Sequence, residues 1–314
     1  MSSITPIGQA SRARGRNKPR SDQKGIHEIR TLPDPEFEGL WESIILPAEL
    51  KDRLLSQAVL NFTARQKLQE VFLPIHGIIL LIGPPGTGKT SHARGLASRA
   101  AASLKGGLTY IEVDPHALAS AALGKSQQAV SHLLGTAIVE EATAKPAIIL
   151  LDEVEALAAD RRKMSMEANP IDVHRATDAV LTQLDQLASE NPHLLFIATS
   201  NFAGAIDEAF LSRADLVVTI DLPSAEACKA ILLDTLDRLA QVYPPIAQLR
   251  SDPRVEQAAA ESVGLDGRRI RKAVLGALAQ TKEFAANPAT VTAEAVLASI
   301  RQAKTERENV EAVR

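Results

Sequence analysis

Gly83-Pro84-Pro85-Gly86-Thr87-Gly88-Lys89-Thr90 follows five apolar residues, Ile78-Ile79-Leu80-Leu81-Ile82, and leads through Ser91 into a helical pattern over 91–101. Strand, glycine-rich turn and helix in that order are the context of a phosphate-binding loop. Glycine lets the backbone curl until successive N–H groups point at phosphate oxygens. The helix N-terminus adds the positive end of its dipole. Lys89 is placed to reach the β- and γ-phosphates, and the Thr90 hydroxyl to hold Mg²⁺. The loop thus implies ATP and Mg²⁺ as cofactors, with Gly83, Pro84, Pro85, Gly86, Thr87, Gly88, Lys89, Thr90 and Ser91 as the nucleotide-binding residues.

Outward from the loop, short apolar runs recur at 109–113, 147–151, 194–199 and 216–220, with helical patterns between them. Runs that do not alternate fit strands buried on both faces. The rhythm predicts an α/β fold: a five-stranded parallel sheet with helices on both faces. After Pro223 the strand signal stops. Ser224 can cap a helix over 225–241, Tyr243-Pro244-Pro245 breaks it, and further helices are expected at 253–262, 267–284 and 293–304. The last 92 residues, 223–314, read as a small all-helical domain. The expected division is a basic tail (1–24), a lead-in segment with its helix (25–72), the large sheet domain (73–222) and the helical domain (223–314).

The tail carries Arg12, Arg14, Arg16, Lys18 and Arg20 among Ser, Gly, Asn and Pro and has no apolar period, so it reads as disordered. Trp41 stands just before the lead-in helix at 47–69 and reads as an anchor to the core, with a place beside a bound adenine as the alternative.

Two more strand ends carry polar groups where ligands of parallel sheets bind. Ile148-Ile149-Leu150-Leu151 ends in Asp152-Glu153. Asp152 suits Mg²⁺, and Glu153 suits a general base that polarises the attacking water. The run 194–199 ends in Ser200-Asn201, and Asn201 can bond both the γ-phosphate and that water. Arg213, within Ala209-Phe210-Leu211-Ser212-Arg213-Ala214-Asp215, is a candidate for neutralising developing charge, a role in which an arginine supplied in trans accelerates phosphoryl transfer by about 10³–10⁵. Arg268, in Gly264-Leu265-Asp266-Gly267-Arg268, opens a helix where the dipole disfavours a cation, which directs it to a phosphate instead. Arg269 and Arg271 read as solvated.

Bulk properties narrow the partners. A chain of 314 residues with a net charge of −3 has no general attraction for nucleic acid or an anionic membrane. The single cysteine, Cys228, and the lack of a signal-peptide core or a spanning apolar run place the expectation in the cytoplasm.

These motifs, in this order, resemble an AAA+ ATPase. Glu38-Gly39-Leu40-Trp41-Glu42-Ser43, Asp152-Glu153-Val154-Glu155-Ala156-Leu157, Ala179-Val180-Leu181-Thr182-Gln183-Leu184-Asp185-Gln186 and the run 209–215 are similar to the pachytene-checkpoint family. The resemblance implies a ring-shaped homo-hexamer that pulls on the N-terminal segment of HORMA-domain proteins and converts them from closed to open. It assigns Lys89 and Thr90 to the phosphate loop, Asp152 to the metal, Glu153 to the base, Asn201 to sensor 1, Arg213 to the arginine finger and Arg268 to sensor 2. Eukaryotic members carry a larger N-terminal domain, whereas 36 residues precede Phe37 here. Bacterial relatives are short in this way and belong to antiphage operons with a HORMA protein and a cyclic-nucleotide synthase, an indirect partner through HORMA. The axial loop 118–126, with Ala122, Leu123 and Gly124 as its pore residues, has Ala122 or Leu123 where members usually place an aromatic, so its grip on a peptide is expected to be weaker. The segment 161–169 is a second candidate pore loop. Two other classes remain open at this level: a nucleic-acid-dependent clamp or helicase loader using the basic tail, and a nucleotide-switched scaffold.

Overall fold

The computed structural model of the chain describes residues 16–17, 25–71, 73, 75–114, 138–142, 145–154, 184, 186–201 and 208–312. Strands β1 (Arg16–Asn17), β2 (Ile26–Leu32), β3 (Ile78–Ile82), β4 (Leu108–Val113), β5 (Ala147–Leu151), β6 (Leu194–Ser200) and β7 (Leu216–Thr219) form one sheet. Its spatial order is β1-β2-β4-β5-β6-β3-β7. From β4 to β7 every pairing is parallel, and the five strands are those predicted. Strands β3, β5 and β6 are buried along their whole length, which explains their unbroken apolar sequence.

Helix α1 (Pro35–Ser43), α2 (Ala48–Glu70) and α3 (Lys89–Ser103) pack on one face of the sheet. There Phe37, Trp41, Leu54, Leu96 and Ala97 meet Ile79, Leu81, Ile148 and Leu150. The opposite face, with Leu80, Ile149 and Phe196, is covered by α4 (Ile138–Ala142) and by Leu184, Leu187 and Ala188. After the six-residue α5 (Glu208–Arg213) and β7, the remaining chain is helical: α6 (Ala225–Val242), a 3₁₀ segment (Pro244–Ser251), α7 (Pro253–Glu261), α8 (Gly267–Ala277), α9 (Lys282–Ala286) and α10 (Ala293–Ala312). These helices close around a core of their own, including Cys228, Leu232, Leu265, Ile270, Val274 and Ile300. Among the described residues no helix is long and apolar enough to cross a membrane.

The sheet is larger than predicted. Two strands precede the five, antiparallel to their neighbours at one edge. In β2 the apolar period is interrupted by His27, Glu28 and Arg30, which hides the strand. Arg30 is nonetheless 4% exposed. It pairs with Glu28 (2.7 Å), Asp34 (3.0 Å) and Glu36 (2.9 Å), and its guanidinium lies 4.4 Å from the Phe37 ring centre. A charge can be buried when it is paired this fully. Within the tail expected to be disordered, Arg16 and Asn17 pair with Arg30 and Ile29. The helix expected at 267–284 is two helices. The first ends at Ala277, and the Thr281 hydroxyl caps the second by accepting the Phe284 N–H at 3.1 Å.

The N-terminal ends of the parallel strands are tied by two charged side chains. Arg65, fully buried, donates to the carbonyls of Leu194 (2.7 Å), His76 (2.6 Å), Ile75 (3.2 Å) and Ala188. Burial lowers its pKa to about 10, an effect partly offset by the Asp215 carboxylate. Asp215 accepts the N–H groups of His76 (2.8 Å), Gly77 (2.6 Å) and Ile78 (3.2 Å). The start of β3 is therefore fixed from both sides, and its far end is free to open into the glycine loop.

Candidate functional site

Register brings the site together. Ile82 pairs with Ser200, and Leu151 with Ala198, so β3, β5 and β6 finish at one edge of the sheet. The phosphate loop, Asp152-Glu153 and Asn201 leave from those adjacent ends.

The loop has the predicted curl. Gly86 and Gly88 have φ of 85° and 89°, in the left-handed region that favours glycine. Gly83 is required for another reason: a Cβ there would lie 2.0 Å from the Ile220 carbonyl oxygen. Gly88 stands at the N-cap of α3 and no side chain caps that helix. The first-turn N–H groups therefore keep their capacity for an anion. Lys89 is 6% exposed and its ammonium donates to the carbonyls of Gly83 (2.8 Å) and Pro84 (2.9 Å) and to Asn201 Oδ1 (2.8 Å). These three acceptors hold the charge at the mouth of the loop.

Behind the loop, the Thr90 hydroxyl donates to Asp152 Oδ1 (2.9 Å) and Oδ2 (3.0 Å). Thr199, in β6, donates to Asp152 Oδ1 at 2.5 Å and accepts the Glu153 N–H at 2.9 Å. Glu153 has φ 52°, and no other non-glycine described residue has a positive φ. A left-handed conformation in such a residue costs roughly 1–3 kcal/mol and persists only where its surroundings hold it. Asn201 Nδ2 lies 3.4 Å from Glu153 Oε1, which links the two predicted water-handling groups. Among the described residues no three His, Cys, Asp or Glu gather as a metal cluster. Thr90 and Asp152 supply two oxygen donors, which fits Mg²⁺, an ion that takes few protein ligands and keeps waters and phosphate oxygens.

A cleft of ≈ 760 Å³ opens beside the loop, between the sheet and the helical segment. Gly86, Thr87, Gly88 and Ser91 line one end of it, and Ile44, Ile45, Leu46 and Pro47, between α1 and α2, line another part. Polar and apolar walls in one cleft suit the two ends of a nucleotide. Arg268 also lines the cleft. The neighbouring Asp266 carboxylate caps α8, accepting the Arg269 N–H at 2.9 Å, and a Cβ on Gly86 would meet it at 2.3 Å.

Two arginines differ from expectation. Arg269 pairs with Asp266 at 3.2 Å. Arg271 is bonded to Asp234 (2.6 Å) and to the Ser43 carbonyl (2.8 Å), which joins α8 to the end of α1. Neither is simply solvated, because each has an acceptor within reach across a helix turn or a domain wall. Trp41 is the anchor: it is 6% exposed, packs with the core behind α3 and lies so close to Gly95 that a Cβ there would be 2.8 Å from its backbone nitrogen.

Arg213 stands apart from this group. It ends α5, two residues before Asp215, whose own N–H donates to the Ile78 carbonyl at 2.8 Å. It thus lies near the start of β3, while the phosphate loop leaves the other end, about 16 Å away at the rise of a five-residue strand. Ala122, Leu123, Gly124 and the segment 161–169 lie outside the described residues.

Thr199 gives no signal in the sequence, because it sits inside a buried strand, where a threonine is ordinary. His92 gives none either. It is 1% exposed, one turn into α3, with Nδ1 2.7 Å from the Gly88 carbonyl. A carbonyl only accepts, so Nδ1 carries the proton. Nε2 is buried without a hydrogen-bond partner. Burial, helped by the nearby Lys51 and Lys89 and opposed by the Gly88 carbonyl, lowers the pKa to about 4.

Comparison with known proteins places this geometry. The family described as "ATPase family associated with various cellular activities (AAA)" matches residues 79–222. CD-NTase-associated protein 6 of Pseudomonas aeruginosa is 55% identical over 282 residues, covering 90% of this chain and 93% of that protein. The pachytene checkpoint protein 2 homolog of Danio rerio is 34% identical over 266 residues, covering 77% of this chain and 62% of the fish protein. A chain in the structure of the E. coli MS115-1 HORMA:CdnC:Trip13 complex has the same fold, with TM-score 0.68 at 18% identity, over 91% of this chain and 97% of that one. A nucleotide-binding loop, an acidic strand end behind it and this degree of identity lead to one conclusion: the chain belongs to the AAA ATPases, in the family of CD-NTase-associated protein 6 and the pachytene checkpoint protein 2 homologues.

Proposed function

We propose that the protein is an ATP-driven remodeller of HORMA-domain proteins that works as a hexameric ring in the cytoplasm and restrains a cyclic-nucleotide-synthase antiphage system. The observation that carries this reading is the gathering of Lys89, Thr90, Asp152, Glu153 and Asn201 at three adjacent strand ends, in a chain that matches 93% of the length of CD-NTase-associated protein 6. A solved relative of the same fold stands in a complex with HORMA and CdnC, which supports HORMA as the client.

In this reading residues 25–72 and 73–222 form the ATPase body, and 223–314 form the lid. ATP binds in the cleft with its triphosphate on 83–91. Lys89 exchanges its carbonyl partners for β- and γ-phosphate oxygens. Thr90 and Asp152 would hold Mg²⁺, which would neutralise charge on the phosphates. Glu153 takes up the proton of the attacking water, and Asn201 aligns that water with the γ-phosphate. Arg268 contacts phosphate from the lid. Arg213 serves the neighbouring subunit's site, a role supported by its place at the far end of β3 from its own loop. Hydrolysis then alters the angle of lid to body and moves the segment carrying Ala122, Leu123 and Gly124, which grips the client.

The test is release of a closed HORMA protein from its bound peptide, followed by loss of fluorescence anisotropy. Wild-type protein with ATP releases the peptide, while Glu153→Gln binds ATP and the client and releases nothing. An ATPase that responds to DNA and ignores HORMA proteins would contradict the assignment.

A further inference from the structure

We infer that Thr199 is a positioning residue for hydrolysis, setting both carboxylates of the site through one hydroxyl. This rests on the reading of Glu153 as the base and deepens it.

A threonine hydroxyl has one proton to donate and two lone pairs. Thr199 is fully buried and directs the proton to Asp152 Oδ1 at 2.5 Å. A lone pair receives the Glu153 N–H at 2.9 Å. The Thr199 carbonyl then receives the next amide, Val154 N–H, at 2.9 Å. Two successive backbone donors thus end on one residue, and the first belongs to Glu153 with its φ of 52°. Nothing in the glutamate itself favours that conformation, since a Cβ crowds its own backbone there. Thr199 is the group that holds it.

The same hydroxyl orients Asp152 together with that of Thr90. Thr90 belongs to the phosphate-loop helix and Thr199 to β6, so the carboxylate is gripped between two elements. Asn201, which touches both Lys89 and Glu153, is two residues further along the same strand end. A shift of Asn201 toward a γ-phosphate therefore pulls on the residue that holds the base. Removing the hydroxyl frees the Glu153 backbone to return to an ordinary conformation and swings its carboxylate off the water. The phosphate-loop amides and Lys89 are untouched, so nucleotide affinity is retained.

The experiment compares Thr199→Val, which keeps the shape and loses the hydroxyl, with Thr199→Ser, which keeps the hydroxyl. Both are made in the full chain and measured for steady-state ATPase, affinity for a fluorescent ATP analogue and melting temperature. Thr199→Val is expected to lower kcat on the order of 10- to 100-fold with analogue affinity within about threefold of wild type, and Thr199→Ser to stay within about threefold in both. Should the valine variant not fold, Thr199→Cys, with its weak donor, gives the same contrast with serine. Undiminished kcat in Thr199→Val, a loss shared by Thr199→Ser, or a matching loss of affinity would each overturn the proposal. Turnover near wild type in Glu153→Gln alone would instead overturn the base assignment beneath it, a separate result.

Discussion

The Thr90 hydroxyl reaches both oxygens of Asp152, at 2.9 and 3.0 Å, although the two residues are 62 positions apart. The bond spans from the first turn of α3 to the end of β5. It means that the two oxygen ligands proposed for Mg²⁺ already face each other in the folded chain. Preorganised donors lose little on binding, so the fold would supply part of the affinity for that metal.

Thr90→Val tests that ligand pair. The substitution keeps the shape and removes one oxygen. The Mg²⁺ concentration giving half-maximal ATPase is expected to rise by about tenfold or more, as outer and inner ligands of metal sites do when removed. An unchanged Mg²⁺ titration would remove Thr90 from the metal site.

Gly83→Ala tests the loop's packing. The added methyl would lie 2.0 Å from the Ile220 carbonyl oxygen, and that backbone is tied to β3 by the Ile220 N–H, which donates to the Ile82 carbonyl at 2.7 Å. Overpacking of this kind costs about 1–3 kcal/mol. The midpoint of urea unfolding should fall accordingly, and the variant should bind nucleotide poorly. A wild-type midpoint would show that β3 and the segment after β7 can separate freely.

His92 predicts an acid-sensitive step. Its pKa is near 4 in the folded chain and near 6.5 when unfolded. Between those values the unfolded state binds the proton and the folded state does not, so stability rises with pH. The stabilisation is fully present above about pH 6.5 and is lost as pH falls toward 4, by about 3 kcal/mol at most. His92→Leu should flatten the melting-temperature profile across that window. A profile as steep as wild type would place the acid sensitivity elsewhere.

Much of this architecture was legible in the sequence. Strands β3 and β5 follow the residues of their apolar runs, because strands buried on both faces have no polar positions to blur them. The phosphate loop, Asp152, Glu153 and Asn201 announced themselves by standing where such strands end. Strand β2 stayed hidden because Arg30 is buried by partners on other segments, Asp34 and Glu36, and a charge in sequence reads as exposed. Thr199 was hidden for a different reason. Its role depends on the register that sets β6 beside β5 and on one unusual backbone angle at Glu153, and neither is local to Thr199. The split between α8 and α9 is a matter of one cap, Thr281, which competes with continued helix by a single hydrogen bond.

Sharing of each proposed catalytic pocket between two subunits is open to a direct test by complementation. Arg213→Ala and Glu153→Gln are made separately, each inactive as a uniform ring, and then mixed in equal amounts and reassembled. An interface formed by the Glu153 of an Arg213→Ala subunit and the Arg213 of a Glu153→Gln neighbour is complete, and random pairing makes about a quarter of interfaces so. Recovery of ATPase in the mixture is the predicted result. A mixture as inactive as its two components, or full activity of Arg213→Ala by itself, would contradict it.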